Sequence, residues 1–164
     1  MNPSPNIRNL HQATLYTAVG LLESTNLSVG RGTETPFELF GAPWINAARL
    51  SRALNADKIS GSRISPVHFT PKADRYEGKR CHGVQLSVTD RDRFRTVSCG
   101  LEIARTLARL YPKKFHSEKL IDMAGSEAVV KGIQRGISVE DVMKMDEQRY
   151  KEFMKLREKY LIYH

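Results

Sequence analysis

The sequence predicts an α+β domain, with a small mixed or antiparallel sheet covered by several helices. Three observations predict this class. Residues 84–88 alternate apolar and polar side chains, as a half-buried strand does. Residues 101–111 carry apolar side chains at helical spacing and end at Pro112. The chain has 164 residues, of which 40% are hydrophobic and 27% charged, which is typical of one globular domain.

The first third of the chain predicts two helices separated by an irregular segment. A helix is expected over residues 7–16, and Gly20 interrupts it. Residues 21–26 are interpreted as a short strand. Residues 27–38 contain two glycines and a proline and are predicted to form a loop. Apolar residues at helical spacing then predict a second helix over residues 45–54.

Two strands are predicted in the middle of the chain. Residues 63–70 form the first, and Pro66 within it indicates an edge or bulged position, because proline cannot donate to a sheet. Residues 84–88 belong to the second and clearer strand. The stretch between them is expected to be a loop with Tyr76 at its middle.

The C-terminal third predicts short helices and one longer one. Ser117 and Ser126 are candidate N-caps for two short helices, and Gly136 is expected to end the second. Ser138, followed three residues later by an aspartate, resembles a capping box. Residues 146–160 are predicted to form an amphipathic helix with a strongly charged outer face.

Composition and charge exclude several classes of protein. The 26 Lys and Arg residues exceed the 18 Asp and Glu residues, so the formal net charge is +8. The positive charges are spread out, with no run of five or more, so no nucleic-acid-binding arm is expected. No window approaches the ~18 consecutive apolar residues of a membrane span. The first residues resemble no signal peptide.

No metal or cofactor site is expected at the cysteines, the histidines or Trp44. Cys81 and Cys99 match no metal-binding spacing and are expected to be buried thiols, with a single bridge as the alternative. His68 and His82 are expected to pack or cap, although a neutral histidine could also orient a carboxylate or bind a sugar hydroxyl. Trp44 is expected to anchor the second helix, the alternative being a platform for sugar stacking.

The Gly-Arg-Gly loop, defined here as residues 23–33, is the segment singled out for chemistry. Gly30 and Gly32 flank Arg31, so the backbone could approach a ligand while the guanidinium binds a carboxylate through two donors. The alternative from the residues alone is a surface turn with an exposed arginine. The side chains suited to sugar hydroxyls are those of Thr25, Asn26, Ser28 and Thr33.

Several segments together carry a family resemblance. In order they are Leu22-Glu23-Ser24-Thr25-Asn26-Leu27-Ser28-Val29-Gly30-Arg31-Gly32-Thr33, Pro36-Phe37-Glu38, Gly41-Ala42-Pro43-Trp44-Ile45, Phe69-Thr70-Pro71, Cys81-His82-Gly83-Val84, Val88-Thr89-Asp90-Arg91, Leu110-Tyr111-Pro112 and Leu156-Arg157-x-Lys159-Tyr160-Leu161. The chain thus resembles, over nearly its whole length, the peptidoglycan exo-β-N-acetylmuramidases, a bacterial glycoside hydrolase family. Ser24 stands where glycine is common, and Asn46 where aspartate is common.

The resemblance implies that residues 1–164 form the family's C-terminal auxiliary domain. Residues 1–20 would then lead from a Rossmann-like N-terminal domain, which is absent from this chain and holds the family's principal catalytic carboxylate. The implied function is to complete the cleft from which terminal N-acetylmuramic acid is removed from peptidoglycan fragments. The alternative is a non-catalytic module that binds muropeptides or glycans. The parent protein is expected in the periplasm or outside the cell.

The implied site lies in the Gly-Arg-Gly loop. Glycoside hydrolysis usually needs two carboxyl groups, and Glu23 is expected as one of them or as a ligand of sugar hydroxyls. An ion pair with Arg31 is the structural alternative for Glu23. The lactyl carboxylate of N-acetylmuramic acid suits Arg31 and the loop amides. The expected substrate-binding residues are Asn26, Ser28, Gly30, Arg31, Gly32 and Thr33. A peptidoglycan-derived saccharide is the expected partner, with no cofactor, metal or nucleic acid.

Overall fold

A three-stranded antiparallel sheet lies at the centre of the computed structural model, which describes residues 4–145 and 147–162. The strands are β1 (Leu39–Ala42), β2 (Ser62–Phe69) and β3 (Cys81–Val88), in the spatial order β1-β3-β2. Helices cover this sheet, so the predicted α+β class is confirmed, and of the two sheet types expected the antiparallel one is found.

The described residues contain seven α-helices. They are α1 (Leu10–Val19), α2 (Ala47–Ala56), α3 (Thr96–Leu110), α4 (Ile121–Ala124), α5 (Glu127–Gln134), α6 (Val139–Lys144) and α7 (Glu147–Glu158). Two short 3-10 helices, Gly20–Leu22 and Ser117–Leu120, connect them. None of the helices in these ranges is long and apolar enough to cross a membrane.

Strand β3 is central because its inward-facing side chains are apolar. Val84 and Leu86 are fully buried and stand opposite Pro66 and Ile64 of β2. Pro66 lies in the edge strand, as predicted, where its missing N–H costs no hydrogen bond to a further strand.

The core is continuous between the sheet and helices α1, α2 and α3. Leu15 of α1, Leu50 of α2 and Leu107 of α3 are fully buried in one cluster with Phe40 of β1. Burying each such side chain contributes roughly 1.5–3 kcal/mol. This core fixes the frame on which the Gly-Arg-Gly loop is mounted.

Side-chain caps set several helix starts. The Asn9 side chain caps α1, and the Asn46 side chain caps α2. Both helices therefore begin two to three residues later than the apolar pattern predicted. Ser126 and Ser138 cap α5 and α6 as predicted, through hydrogen bonds from Val129 N–H and Asp141 N–H. Gly136, with φ of +73°, follows the end of α5.

Two predictions of local structure are wrong, one strand was not predicted, and one helix begins earlier than predicted. Residues 21–26 form no strand: the 3-10 helix Gly20–Leu22 continues into turns. Strand β1 was missed because its four residues are all buried and show no alternation. Ser117 caps no helix, since it is itself the first residue of a 3-10 helix without a side-chain cap. Helix α3 also begins at Thr96, five residues before the predicted start.

Helix α7 (Glu147–Glu158) confirms the last predicted helix; the predicted start, Asp146, lies outside the described residues. Its apolar side chains Tyr150, Phe153 and Leu156 are exposed rather than packed into the core. Cys81 and Cys99 are buried free thiols, as expected.

Candidate functional site

The Gly-Arg-Gly loop runs beside the free edge of β1. The Ser28 N–H donates to the Gly41 carbonyl, and the Gly41 N–H donates to the Ser28 carbonyl, both at 2.9 Å. Ser28 is buried, and its hydroxyl accepts a hydrogen bond from the Gly30 N–H at 3.3 Å. The loop is thus tied to the sheet at its middle, and the Ser28 side chain faces protein rather than solvent.

Gly30 and Gly32 are needed for the path of the backbone. Their φ angles are +80° and +75°, in the left-handed region that favours glycine. A Cβ on Gly32 would overlap the backbone of Ala73, and the Gly32 carbonyl accepts a hydrogen bond from Lys72 N–H at 2.8 Å. The backbone at Gly32 therefore lies against the chain's own β2–β3 loop (residues 70–80), and its approach to a ligand stays a prediction.

Arg31 lies between two carboxylates. Its guanidinium forms an ion pair with Glu23, and its Nε is 3.9 Å from Asp74 Oδ2. The guanidinium also stands over the Phe37 ring, 5.6 Å from the centroid. The Nε atom is buried and makes no hydrogen bond within the described residues. The Arg31 side chain is still 35% exposed, so part of the guanidinium faces solvent.

The ion pair anticipated as the alternative role of Glu23 is therefore present. The Glu23 side chain is 23% exposed, and its carboxylate accepts from Arg31. The 3-10 helix Gly20–Leu22 holds the residue in place through a hydrogen bond from Glu23 N–H to the Gly20 carbonyl at 3.0 Å. A direct role of Glu23 toward a sugar stays a prediction.

Asn26 and Thr33 use polar groups to shape the loop. The Asn26 Nδ2 donates to the Lys114 carbonyl at 2.7 Å, and its Oδ1 accepts from the His116 N–H at 3.0 Å. The Thr33 hydroxyl donates to the Gly30 carbonyl at 2.6 Å. The roles of Asn26 and Thr33 as sugar ligands stay predictions.

The β2–β3 loop adds two residues that the sequence did not point to as part of the site. Asp74 and Tyr76 have φ angles of +69° and +64°, which is unusual for residues with a side chain. Asp74 flanks Arg31, and the Tyr76 hydroxyl donates to the Asn26 carbonyl at 2.8 Å. The sequence offered only turn residues and a central tyrosine as signals, which predict a loop but not what it touches.

Trp44 and Tyr111 pack against each other at the start of α2. Their ring centroids are 5.3 Å apart in an edge-to-face arrangement, and the Tyr111 hydroxyl accepts from the Asn46 N–H at 3.0 Å. Trp44 is partly buried against the core. This packing matches the anchoring role predicted for Trp44.

Residues 27–30 of the Gly-Arg-Gly loop are buried, whereas Arg31 is partly exposed. A cavity of about 870 Å³ lies elsewhere in the described residues, between α3, α6 and α7. Within residues 4–145 and 147–162, no group of three or more His, Cys, Asp or Glu side chains could hold a metal ion. The loop chiefly offers a partly exposed guanidinium on a rigid frame, which suits an anionic ligand.

Known proteins resemble this chain over almost its full length. It is 42% identical over 164 residues to the peptidoglycan beta-N-acetylmuramidase NamZ of Bacillus subtilis strain 168, covering 98% of this chain and 40% of that protein. Two crystal structures of DUF1343 family proteins from Bacteroides fragilis share the fold. One has a TM-score of 0.79 at 26% identity, covering 98% of this chain and 44% of its own. The other has a TM-score of 0.70 at 25% identity, covering 99% and 43%.

A family model confirms the resemblance noted in the sequence. The model described as "Exo-beta-N-acetylmuramidase NamZ, C-terminal" matches residues 14–163. The chain spans 40% of the length of the Bacillus subtilis relative. The chain therefore belongs to the family of NamZ exo-β-N-acetylmuramidase C-terminal domains.

Proposed function

We propose that this chain completes the substrate cleft of an exo-acting β-N-acetylmuramidase, which removes terminal N-acetylmuramic acid from peptidoglycan fragments. The observation that carries the proposal is the 42% identity to a peptidoglycan beta-N-acetylmuramidase over the whole chain. Because the chain spans 40% of that relative, the complete activity would belong to a longer protein.

The chemistry of Arg31 supports this substrate class. N-acetylmuramic acid differs from N-acetylglucosamine by a lactyl ether that ends in a carboxylate. A guanidinium binds a carboxylate through paired, charge-assisted hydrogen bonds. Arg31 is anchored by Glu23 and flanked by Asp74, so it would meet the lactyl group with little loss of side-chain freedom. The other predicted ligands, Asn26, Ser28, Gly30, Gly32 and Thr33, shape the loop that carries it.

Glu23 is the proposed catalytic carboxylate of this chain. The ion pair sets the carboxylate beside the guanidinium that would bind substrate, within reach of the same sugar. Glycosidases usually work with two carboxyl groups. The principal one would come from a Rossmann-like N-terminal domain that faces the Gly-Arg-Gly loop, and the parent protein would act in the periplasm or outside the cell.

A second candidate function is a binding module for muropeptide or glycan ends, without hydrolysis. One observation favours it: the Glu23 carboxylate is already engaged by Arg31. In that case Glu23 would serve only to position the guanidinium. The two functions share a ligand and differ in whether the chain contributes to turnover.

A domain exchange tests the proposal. The matching segment of the Bacillus subtilis relative is replaced by this chain, and hydrolysis of a chromogenic β-N-acetylmuramic acid glycoside is measured for the chimera, the relative and the isolated chain. We expect an active chimera and an inactive isolated chain, because a lone carboxylate seldom supplies both steps. If the isolated chain hydrolysed the glycoside nearly as fast as the full-length relative, the proposal that the principal carboxylate comes from another domain would be refuted. A folded chimera that binds the glycoside without turnover would favour the binding module.

A further inference from the structure

His68 and His82 meet on neighbouring strands of the sheet. They stand directly opposite each other in the antiparallel pairing of β2 with β3. Their Nδ1 atoms are 2.7 Å apart, and their rings are nearly perpendicular, with centroids 4.7 Å apart. Directly opposed residues bring their side chains close, and here the two Nδ1 atoms lie within hydrogen-bond distance of each other.

The pair is accessible from solvent. His68 is exposed on the edge strand, and His82 is partly exposed on the central strand. Cys81, the neighbour of His82, faces the opposite side of the sheet because successive side chains alternate. That thiol is fully buried, and burial raises its pKa to about 11, so it is no ligand for a surface ion.

A hydrogen bond between two Nδ1 atoms requires that one carries a proton and the other offers a lone pair. The same two nitrogens can both offer lone pairs to a cation. Metal–imidazole bonds are about 2.0–2.1 Å long. Two of them at a right angle place the nitrogens roughly 2.9 Å apart, and at a tetrahedral angle roughly 3.3 Å apart. The observed Nδ1–Nδ1 distance of 2.7 Å is closer to the value for right-angled ligands. The two rings would therefore have to move apart less for right-angled than for tetrahedral coordination.

We infer that His68 and His82 together form a surface site for a divalent transition-metal ion of the Ni²⁺ or Cu²⁺ class, bound through both Nδ1 atoms. These ions favour imidazole ligands and right-angled, square-planar or tetragonal geometry. On binding, the ring that carried its proton on Nδ1 changes to the Nε2–H tautomer by exchange with solvent, so both rings stay neutral and both Nδ1 atoms offer lone pairs to the cation. Water fills the remaining coordination positions, which leaves them open to an exchangeable ligand.

The test uses the 164-residue chain without any added histidine tag. Ni²⁺ is titrated by calorimetry into the wild type, His68→Ala, His82→Gln and the double variant, with His116→Ala as the matched control. His116 is also exposed, and its imidazole lies near Glu118 rather than near another histidine. The thermal midpoint of every variant, measured in chelator, shows whether it is folded.

We expect one Ni²⁺ per chain in the wild type and in His116→Ala. Each single variant of the pair should bind more weakly by more than roughly tenfold, since even indirect partners of a metal ligand are worth about 10–100-fold. The double variant should lose little more Ni²⁺ affinity than a single variant does, because the one imidazole that a single variant keeps cannot chelate the ion. With Cu²⁺, electron paramagnetic resonance should show coupling to two nitrogens in the wild type.

Unchanged Ni²⁺ affinity in His68→Ala would overturn the site. An equal loss in His116→Ala would also overturn it, because binding would then reflect any exposed histidine. His68 is exposed on the edge strand, so His68→Ala decides the matter even if His82→Gln fails to fold.

Discussion

The guanidinium of Arg31 forms an ion pair with the carboxylate of Glu23, and the two residues lie at opposite ends of the Gly-Arg-Gly loop. The pair closes the segment from Glu23 to Arg31, and Gly30 and Gly32 turn the backbone on either side of Arg31. Asp74 approaches the same guanidinium from the β2–β3 loop. A substitution in the pair therefore tests both the loop and the proposed contact with the ligand.

Arg31→Ala is expected to weaken binding of an N-acetylmuramic acid ligand by about 1.5–3 kcal/mol, the range for hydrogen bonds to charged groups. Stability should fall by less than about 1 kcal/mol, because the ion pair is partly exposed. Arg31→Lys should also bind poorly, since an ammonium lacks the planar pair of donors. Affinity and thermal midpoint are measured on the same chimera. Arg91→Ala, at an exposed position, is the control.

If Arg31→Ala unfolds the protein while the affinity of the folded fraction for the ligand stays unchanged, Arg31 stabilises the fold and does not bind the ligand. The predicted site would then be wrong at its central residue.

Glu23→Gln keeps the shape of the side chain and removes its charge. If Glu23 takes part in catalysis, kcat of the chimera should fall by about 10²–10⁴-fold, the contribution typical of a positioned acid or base. Glu34→Gln is the control, since Glu34 is an exposed carboxylate close to the same loop. A rise in KM with unchanged kcat would instead assign Glu23 to the positioning of Arg31.

Gly32→Ala is expected to destabilise the fold more than Gly78→Ala. Both glycines have positive φ, +75° and +68°, so both substitutions carry a backbone penalty of about 1–2 kcal/mol. Only Gly32 has a neighbour in the way: a Cβ there would overlap the backbone of Ala73, whereas a Cβ on Gly78 meets nothing within 4 Å. The free energy of unfolding from urea titrations measures the difference. Equal losses would show that the β2–β3 loop moves aside freely.

The buried thiols predict loss of stability at high pH. Burial raises the pKa of Cys81 to about 11, and burial together with the nearby Glu102 raises the pKa of Cys99 to about 12. The folded state therefore keeps these protons after the unfolded chain has lost them. The resulting stabilisation is fully present below about pH 8.5, the pKa of a free thiol, and is lost as pH rises through the folded values.

The free energy of unfolding of Cys99→Ala, compared with the wild type between pH 8 and 10, checks this expectation. The wild type should lose more stability than the variant over this range. Identical slopes would show that the Cys99 thiol ionises as readily in the folded chain as in the unfolded one.

The sequence predicted those parts of the fold whose cause is local. Alternation identified β3, helical spacing identified α3, and Ser126 and Ser138 marked two helix starts, because each signal lies within a few residues of the element that it specifies. Strand β1 was not predicted, because it has no such local signal. Its four buried residues make sense only beside β3, which is distant in the chain.

The sequence by itself determined the α+β class, the family resemblance and the position of the Gly-Arg-Gly loop. Only the tertiary structure decided what the loop contacts: the ion pair of Glu23 with Arg31, and Asp74 beside the same guanidinium. The meeting of His68 with His82 was likewise invisible in the spacing of the histidines. The physical reason is that propensity, periodicity and capping act between near neighbours in the chain. Partners from distant segments are chosen by the packing of the sheet and its loops.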